Sequence, residues 1–197
     1  MSGILLDMQA GLHQAMTSAA LIQAGNPNHS LASLRSSLFV FKLAVHFHSE
    51  YKSQPAYAVF SRLAGWHKDM FGVQEFLFDI AVLECGTVPA VQPHIDLPFV
   101  RKAIWLVESE FERNSRDVLH DLSKLKVGCS EKNLLIATQF SNMNKQIDML
   151  AQVSDGIKGE LYLALLPHPI DWQVVGNVIQ SYRLVHGSWT PDSLVSC

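Results

Sequence analysis

The chain has few cysteines, and they are not spaced to form a structural framework. Cys85, Cys129 and Cys197 are odd in number and far apart, with no CxxC pair. A disulfide-stapled fold and a zinc knuckle both need closely spaced pairs, so this pattern argues against both. We therefore expect free thiols in a reducing compartment and a cytoplasmic protein.

Positive charge is absent from the start of the chain. No Lys or Arg precedes Arg35, so the apolar beginning lacks the cationic segment of a signal peptide, and Asp7 interrupts it too early for a membrane span. No membrane association is expected. Over the whole chain 15 Lys and Arg stand against 18 Asp and Glu, for a net charge of -3. This balance argues against a uniformly basic nucleic-acid coat but allows a local basic groove.

Several catalytic signatures are also missing. There is no glycine-rich phosphate loop, no GxSxG elbow and no Cys–His pair that can be assembled from the sequence. The nine histidines lack ligand-like spacing. His46 and His48 lie two apart in a predicted helix and point to different faces. The acidic residues are therefore the remaining candidates for a functional site.

Composition indicates one globular unit. With 197 residues, of which 48% are hydrophobic and 17% charged, the chain can bury a sizeable core. Helical periodicity predicts helices over residues 3–25 and 30–52, with a turn at 26–28 between them. We expect residues 1–28 to form an N-terminal helical extension and residues 29–197 to form an α/β domain.

Glutamates end the most strand-like segment of the chain. The apolar run 103–107 is followed by Glu108 and Glu110, which alternation places together on the face of Ile104 and Leu106. Two like charges at the end of a buried strand repel each other unless a cation lies between them, so the pattern favours an oxygen-lined site for a hard divalent cation. A strand end that emerges into solvent is the alternative.

The remaining segments follow an α/β pattern. Residues 172–184 fit a strand or a helix equally well, and a helix at 116–127 joins two apolar strands as a crossover connection does. The other predicted elements are a short helix at 56–63, a strand at 75–84 with Asp79 in its middle, a loop at 86–98, strands at 133–138 and 160–166, and a helix at 143–155.

Two short motifs in this element order resemble the PD-(D/E)XK nuclease superfamily. They are Phe76-Leu77-Phe78-Asp79 and Leu106-Val107-Glu108-Ser109-Glu110, followed by a helix and the strand 134–137. The resemblance covers roughly residues 30–140. It implies a restriction-endonuclease-like core of a helix, three strands, a second helix and a fourth strand. Only residues 66–73 leave room for the first of those strands.

The resemblance also implies roles for particular residues. Asp79 matches the family's first acid and Glu108 its second, while Glu110 stands where most members have lysine. In some members the lysine lies on the following helix, which makes Lys124 the candidate here. A glutamate from the first helix joins the site in several nuclease-like folds, and Glu50 is the acid available near the end of that helix.

The implied activity is hydrolysis of phosphodiester bonds in DNA. Asp79 and Glu108, with Glu50, would hold Mg²⁺, for which Mn²⁺ can substitute. Glu110 would bind a second ion or accept a proton, and Lys124 would stabilise developing charge. Eight basic residues flank these acids and either line a phosphate-tracking surface or form a scattered solvated set: Lys52, Arg62, His67, Lys68, Arg101, Lys102, Arg113 and Arg116.

A catalytically inactive module for binding or assembly is the rival interpretation. Its grounds are the missing motif lysine, the acidic net charge and the apolar N-terminal helix, which could form a homodimer interface or enter a partner's groove. The enzyme interpretation requires the carboxylates of Asp79 and Glu108 to lie close together, with neither held in an ion pair in the core. A third possibility is an unrelated α/β domain in which the motif occurs by chance.

Overall fold

Seven strands form one mixed sheet in which each strand pairs with its neighbours in chain order. The structure is a computed structural model that describes residues 2–25, 30–91, 95–173 and 178–192. The strands are β1 (Tyr57–Phe60), β2 (Ile80–Pro89), β3 (Asp96–Glu110), β4 (Ser130–Thr138), β5 (Glu160–Leu166), β6 (Gln180–Val185) and β7 (Ser188–Pro191). The helices are α1 (Ser2–Gly25), α2 (Leu31–Tyr51), α3 (Lys68–Phe71), α4 (Ser115–Val127) and α5 (Met143–Ser154), and a 3-10 turn spans Pro169–Asp171.

The middle of the sheet is parallel and its two sides are antiparallel. β1, β2 and β3 form an antiparallel meander, and β3, β4 and β5 run parallel. β5, β6 and β7 are antiparallel again. α4 and α5 are the crossover connections that parallel neighbours require. The predicted α/β class and the predicted crossover helix are therefore confirmed, and β3, β4 and β5 all end at the same edge of the sheet.

Helices cover both faces of the sheet. On one face Phe47 of α2 shares a hydrophobic cluster with Val107 of β3. On the other, Leu122 of α4 and Leu150 of α5 share a cluster with Leu135 of β4. Because the central strands are buried on both sides, they are continuous apolar runs rather than alternating ones.

Helix α1 confirms the helix predicted for residues 3–25. Its buried apolar stripe belongs to the same cluster as α2 and the sheet, and includes Met8, Leu12, Ala15 and Met16. The predicted turn at 26–28 lies outside the described residues. No helix in the described ranges combines the length and the apolar character that crossing a membrane requires.

The helix predicted for residues 56–63 is wrong. This segment contains the short strand β1, in which Tyr57 pairs with Glu84 and the apolar side chains that follow are buried. Aromatic and β-branched residues favour a pleated, half-buried surface, and the run is too short to form a stable helix. The sheet's first strand therefore lies at residues 57–60. Residues 66–73, where the sequence left room for it, contain helix α3 instead.

The strand predicted for residues 75–84 and the loop predicted for 86–98 are both displaced. β2 begins only at Ile80, so Asp79 immediately precedes the strand, and β2 continues to Pro89. β3 begins at Asp96 and pairs with β2 through the region predicted as loop. Pro98 is tolerated there because β3 pairs with β4 only from Ala103 onward, which leaves Pro98 on a free edge.

A β-bulge alters which residues share a face of β3. Val82 pairs with Trp105 and Leu83 with Ala103, so Ile104 is an extra residue on β3. Ile104 joins the cluster on the α2 side, whereas Leu106 joins the cluster beneath α4. The expectation that Ile104 lies on the face of Leu106 is therefore wrong, because alternation across a bulge skips one position.

The other elements agree with the sequence to within a few residues. Helices α4 and α5 and strands β4 and β5 confirm the predictions for 116–127, 143–155, 133–138 and 160–166. Within the ambiguous segment 172–184, the described part contains the start of strand β6.

Gly159 should be much less replaceable than Gly187. Both have φ of +78°, but a Cβ at Gly159 would overlap the carbonyl oxygens of Ser130 and Glu131, whereas a Cβ at Gly187 meets open space. We expect Gly159→Ala to reduce the free energy of unfolding by about 2 kcal/mol more than Gly187→Ala, because only the first adds steric overlap to the same backbone strain. Urea denaturation of the two variants measures the difference, and equal losses would contradict it.

Candidate active site at the carboxyl end of strand β3

A cleft of about 300 Å³ lies where β3 ends, between the first turns of α2 and the middle of α4. Its walls include five carboxylates, two cations, several serines and a histidine. They are Asp79, Glu108, Glu110, Glu112, Asp121, Lys124, Arg62, His168, Ser30, Ser33, Ser36, Ser37 and Ser109.

Asp79 is held in place by the neighbouring strand. Its Oδ2 accepts hydrogen bonds from the backbone N of Ser109 at 2.9 Å and from the Ser109 Oγ at 2.5 Å. Ile80, the next residue, is fully buried and pairs with Val107 of β3. The Asp79 carboxylate is therefore oriented by one oxygen, while its Oδ1 takes no hydrogen bond from the described residues.

Glu108 is buried with only one of its two carboxylate oxygens satisfied. The residue is 1% exposed, and its Oε2 accepts a hydrogen bond from the Lys124 Nζ at 2.7 Å. Its Oε1 is buried and has no hydrogen-bond partner. Burial raises the pKa of Glu108 to about 8. The carboxylates of Asp79 and Asp121 also raise this pKa, and Lys124 lowers it. A carboxylate in this position favours a second cation at Oε1.

Helix α4 supplies Lys124 and Asp121 from one face. Val118, Leu122 and Leu125 are buried against the sheet, which turns positions 121 and 124 toward the end of β3. The Lys124 Nζ also lies 3.1 Å from the Asp121 Oδ1. Burial lowers the pKa of Lys124, but its hydrogen bonds to Glu108 and Asp121 outweigh burial and raise it, so the ammonium group stays charged.

Glu110 lies nearer the mouth of the cleft. Its Oε1 accepts a hydrogen bond from the backbone N of Glu112 at 2.6 Å. Burial is the main reason why its pKa is raised, and the carboxylates of Asp121 and Asp117 add to the effect. A carboxylate with a raised pKa is better suited than an ordinary one to accepting a proton near neutral pH.

The cleft carries more negative charge than its own cations balance. With every acid counted as ionised, five carboxylates and the two cations Lys124 and Arg62 leave a formal charge of -3. The ion pair between Glu108 and Lys124 does not bury the site in the protein core. Both residues line the cleft, and the Lys124 side chain is 32% exposed. The free oxygens of Asp79 and Glu108 are the hard ligands that Mg²⁺ and Mn²⁺ prefer.

The protein alone would provide only part of a coordination shell. Within the described ranges, no group of three or more His, Cys, Asp or Glu side chains is arranged to hold a metal ion. An ion bound by Asp79 and Glu108 would therefore need water or a substrate phosphate as further ligands. Mg²⁺ is commonly bound in this way, through one or two carboxylates plus phosphate oxygens.

The structure does not bring Glu50 to this cleft, so its prediction as a metal ligand is wrong. The first turns of α2 line the cleft, whereas Glu50 lies at the other end of the helix, about 20 Å from Ser36 at 1.5 Å per residue. There it is exposed, and the His46 Nε2 lies 3.6 Å from its Oε2. The order of elements did not reveal which end of α2 faces the site.

Sequence reasoning missed Asp121 and the side chain of Ser109. Asp121 had a detectable signal, since it is an acid on the apolar face of an amphipathic helix, three residues before Lys124. Ser109 had no such signal, because its contact with Asp79 depends on the register between β2 and β3.

Comparison of the chain with family models, with curated proteins and with solved structures finds no match.

The stability of Glu108→Gln relative to wild type should depend on pH. The pKa of Glu108 rises from 4.5 to about 8 on folding, so its stabilising contribution is present at low pH and is lost as pH approaches 8. Glutamine does not titrate. We therefore expect the free energy of unfolding of Glu108→Gln, relative to that of wild type, to increase by at least about 1 kcal/mol from about pH 5 to about pH 8. Above about pH 8 this difference should stay constant.

Urea titrations at several pH values in EDTA measure this difference. Glu112→Gln, which changes an exposed acid of the same cleft, is the matched control and should follow wild type. Parallel pH curves for wild type and Glu108→Gln would contradict the prediction.

Proposed function

We propose that this chain is a metal-dependent nuclease that hydrolyses phosphodiester bonds in DNA. The observation that carries the proposal is the buried Oε1 of Glu108, which has no hydrogen-bond partner although the residue lines a cleft rich in carboxylates. Such an oxygen is stabilised by a divalent cation, and a cation between carboxylates and substrate phosphate is the centre of metal-assisted phosphodiester cleavage.

The order of elements supports the same proposal. Helix α2, the meander β1–β2–β3, helix α4 and strand β4 follow the arrangement that the PD-(D/E)XK resemblance implies, with β4 parallel to β3. Asp79 then stands directly before the second strand, and Glu108 and Glu110 stand on the third. Lys124, on the following helix, reaches Glu108 and so offers the cation that position 110 lacks.

Each residue then has a distinct chemical role. Asp79 and Glu108 would hold Mg²⁺, and Ser109 would orient Asp79. When bound, the ion lowers the pKa of a coordinated water and neutralises charge on the phosphate. Glu110 accepts a proton from the attacking water, and Lys124 stabilises the negative charge that develops as the phosphorus–oxygen bond to the leaving group breaks.

The rival interpretation, an inactive binding or assembly module, loses some of its support. The apolar stripe of α1, which made a homodimer interface or a partner groove attractive, packs within the chain over its described residues. The missing motif lysine is offset by Lys124. A homodimer remains a prediction that rests on the sequence alone.

Removing either metal-binding carboxylate should weaken Mn²⁺ binding. We expect Asp79→Asn and Glu108→Gln each to weaken Mn²⁺ binding at least tenfold by calorimetry and to reduce DNA cleavage at least about 100-fold, because each removes an anionic ligand. Glu50→Gln removes an equal charge at the far end of α2 and is the matched control. A Glu50→Gln variant as impaired as the other two would show that net charge, and not the cleft, is responsible.

Lys124 should affect cleavage without supporting metal binding. We expect Lys124→Met to lower kcat about 100-fold, the usual range for removing a group that stabilises transition-state charge. It should bind Mn²⁺ at least as tightly as wild type, because it frees the Glu108 Oε2 and removes a nearby positive charge.

Lys126→Met on the same helix is the control, since the Lys126 Nζ donates to the carbonyl of Val153 outside the cleft. Unchanged kcat in Lys124→Met, or weaker Mn²⁺ binding in a variant that unfolds like wild type, would contradict the assigned role.

A further inference from the structure

Arg62 lines the carboxylate cleft without pairing with any of its carboxylates. Lys124, the other cation of the cleft, contacts both Glu108 and Asp121. The guanidinium of Arg62, in contrast, has no hydrogen bond and no ion pair with the described residues. An arginine that borders five acids and pairs with none of them is available to an anion from outside the chain.

The backbone of Arg62 is fixed although its side chain is exposed. Arg62 follows β1 in a tight turn in which Ala64 N donates to the carbonyl of Ser61 at 3.0 Å. Ser61 is fully buried, and the Gln74 Nε2 donates to the carbonyl of Arg62 at 2.6 Å. The side chain therefore projects from a defined point, so little backbone entropy is lost when it binds a ligand.

The N-terminus of α2, which lines the same cleft as Arg62, also favours an anion. The N-cap Ser30 and the serines Ser33, Ser36 and Ser37 of the first two turns of α2 line the cleft. The first turn of α2 contains no acidic residue. A helix N-terminus carries partial positive charge, and the hydroxyl groups of Ser30, Ser33 and Ser37 can donate to phosphate oxygens, whereas that of Ser36 donates to the carbonyl of Ser33. We call Arg62 and these four serines the anion wall.

The orphaned oxygen of Glu108 gives independent evidence for a ligand in this cleft. Glu108 is 1% exposed and lines the same cleft as the anion wall, yet its Oε1 has no hydrogen-bond partner. The carboxylates favour a cation, and the anion wall favours an anion. A divalent cation that carries a phosphate satisfies both sides at once.

We infer that the anion wall binds a backbone phosphate of a nucleic-acid strand in the cleft that the metal-binding carboxylates also line; this inference rests on the proposed function. Arg62 can contact two phosphate oxygens, while the cation contacts the same group from the other side. Arg62 is therefore a substrate-positioning residue.

A strand fits the surroundings better than free phosphate does. His168 lines both this cleft and a second groove of about 570 Å³, which continues past Arg113, Gln139 and Phe140. This groove gives the nucleotides next to the bound phosphate somewhere to lie. Inorganic phosphate or a mononucleotide would leave it empty.

Fluorescence anisotropy of a labelled DNA strand tests the inference, with Ca²⁺ replacing Mg²⁺ so that the strand is held without cleavage. We expect Arg62→Gln to bind about tenfold more weakly than wild type and to reduce the slope of log K against log salt by about one, because one phosphate contact is lost. Arg62→Lys keeps the charge and should retain the salt slope.

Arg101→Gln is the matched control. It makes the same substitution at an exposed arginine of β3. Arg101 lies seven residues before Glu108, which is about 23 Å away along the strand. Equal affinity and salt slope for wild type, Arg62→Gln and Arg101→Gln would overturn the inference. So would displacement of the DNA by inorganic phosphate at concentrations comparable to the dissociation constant of the DNA.

Mn²⁺ calorimetry on the same proteins separates this inference from the proposed function. We expect Arg62→Gln to bind Mn²⁺ at least as tightly as wild type, since Arg62 is not a ligand and its removal takes a positive charge from the cleft. Mn²⁺ binding by both, with unchanged DNA affinity in Arg62→Gln, would overturn the anion wall alone. Failure of wild type to bind Mn²⁺ would overturn the proposed function and, with it, the inference built upon it.

Discussion

The burial of one carboxylate constrains the whole candidate site. Glu108 is 1% exposed and has a charged partner for Oε2 but none for Oε1. A buried carboxylate is tolerated when both of its oxygens are satisfied, and Lys124 satisfies only one. Burial, together with the carboxylates of Asp79 and Asp121, explains why the pKa of Glu108 rises to about 8, and the unsatisfied oxygen explains why the cleft favours a cation. Metal binding would thus complete an electrostatic arrangement that the fold leaves incomplete.

The topology of the sheet is what places this carboxylate and its partners together. The parallel pair β3 and β4 requires a crossover helix, and α4 fills that role with Lys124 and Asp121 facing the end of β3. The antiparallel pair β2 and β3 brings Asp79 to Ser109. The N-terminus of α2 closes the third side with serines. Acidic residues far apart in sequence therefore share one cleft with Arg62 and the serines of α2.

Much of this site could be predicted from the sequence because alternation and motif order are local properties. Asp79, Glu108, Glu110 and Lys124 all line the cleft; alternation along a strand pointed to the two glutamates, and the nuclease resemblance pointed to Asp79 and Lys124. The expectations that were wrong depended on information the sequence does not hold locally. The bulge at Ile104 depends on pairing with β2, and the exclusion of Glu50 depends on which end of α2 meets the sheet. Strand β1 was missed because four residues carry too little periodicity to distinguish strand from helix.

The most direct test of the central claim is the anomalous diffraction of crystals soaked in Mn²⁺. The account predicts one strong anomalous peak about 2.2 Å from both the Oδ1 of Asp79 and the Oε1 of Glu108, with its remaining ligands supplied by water. The same soak of Glu108→Gln crystals should show no peak at that position. A wild-type crystal whose cleft contains no manganese, with both carboxylates unchanged, would contradict the claim that these residues form a metal site.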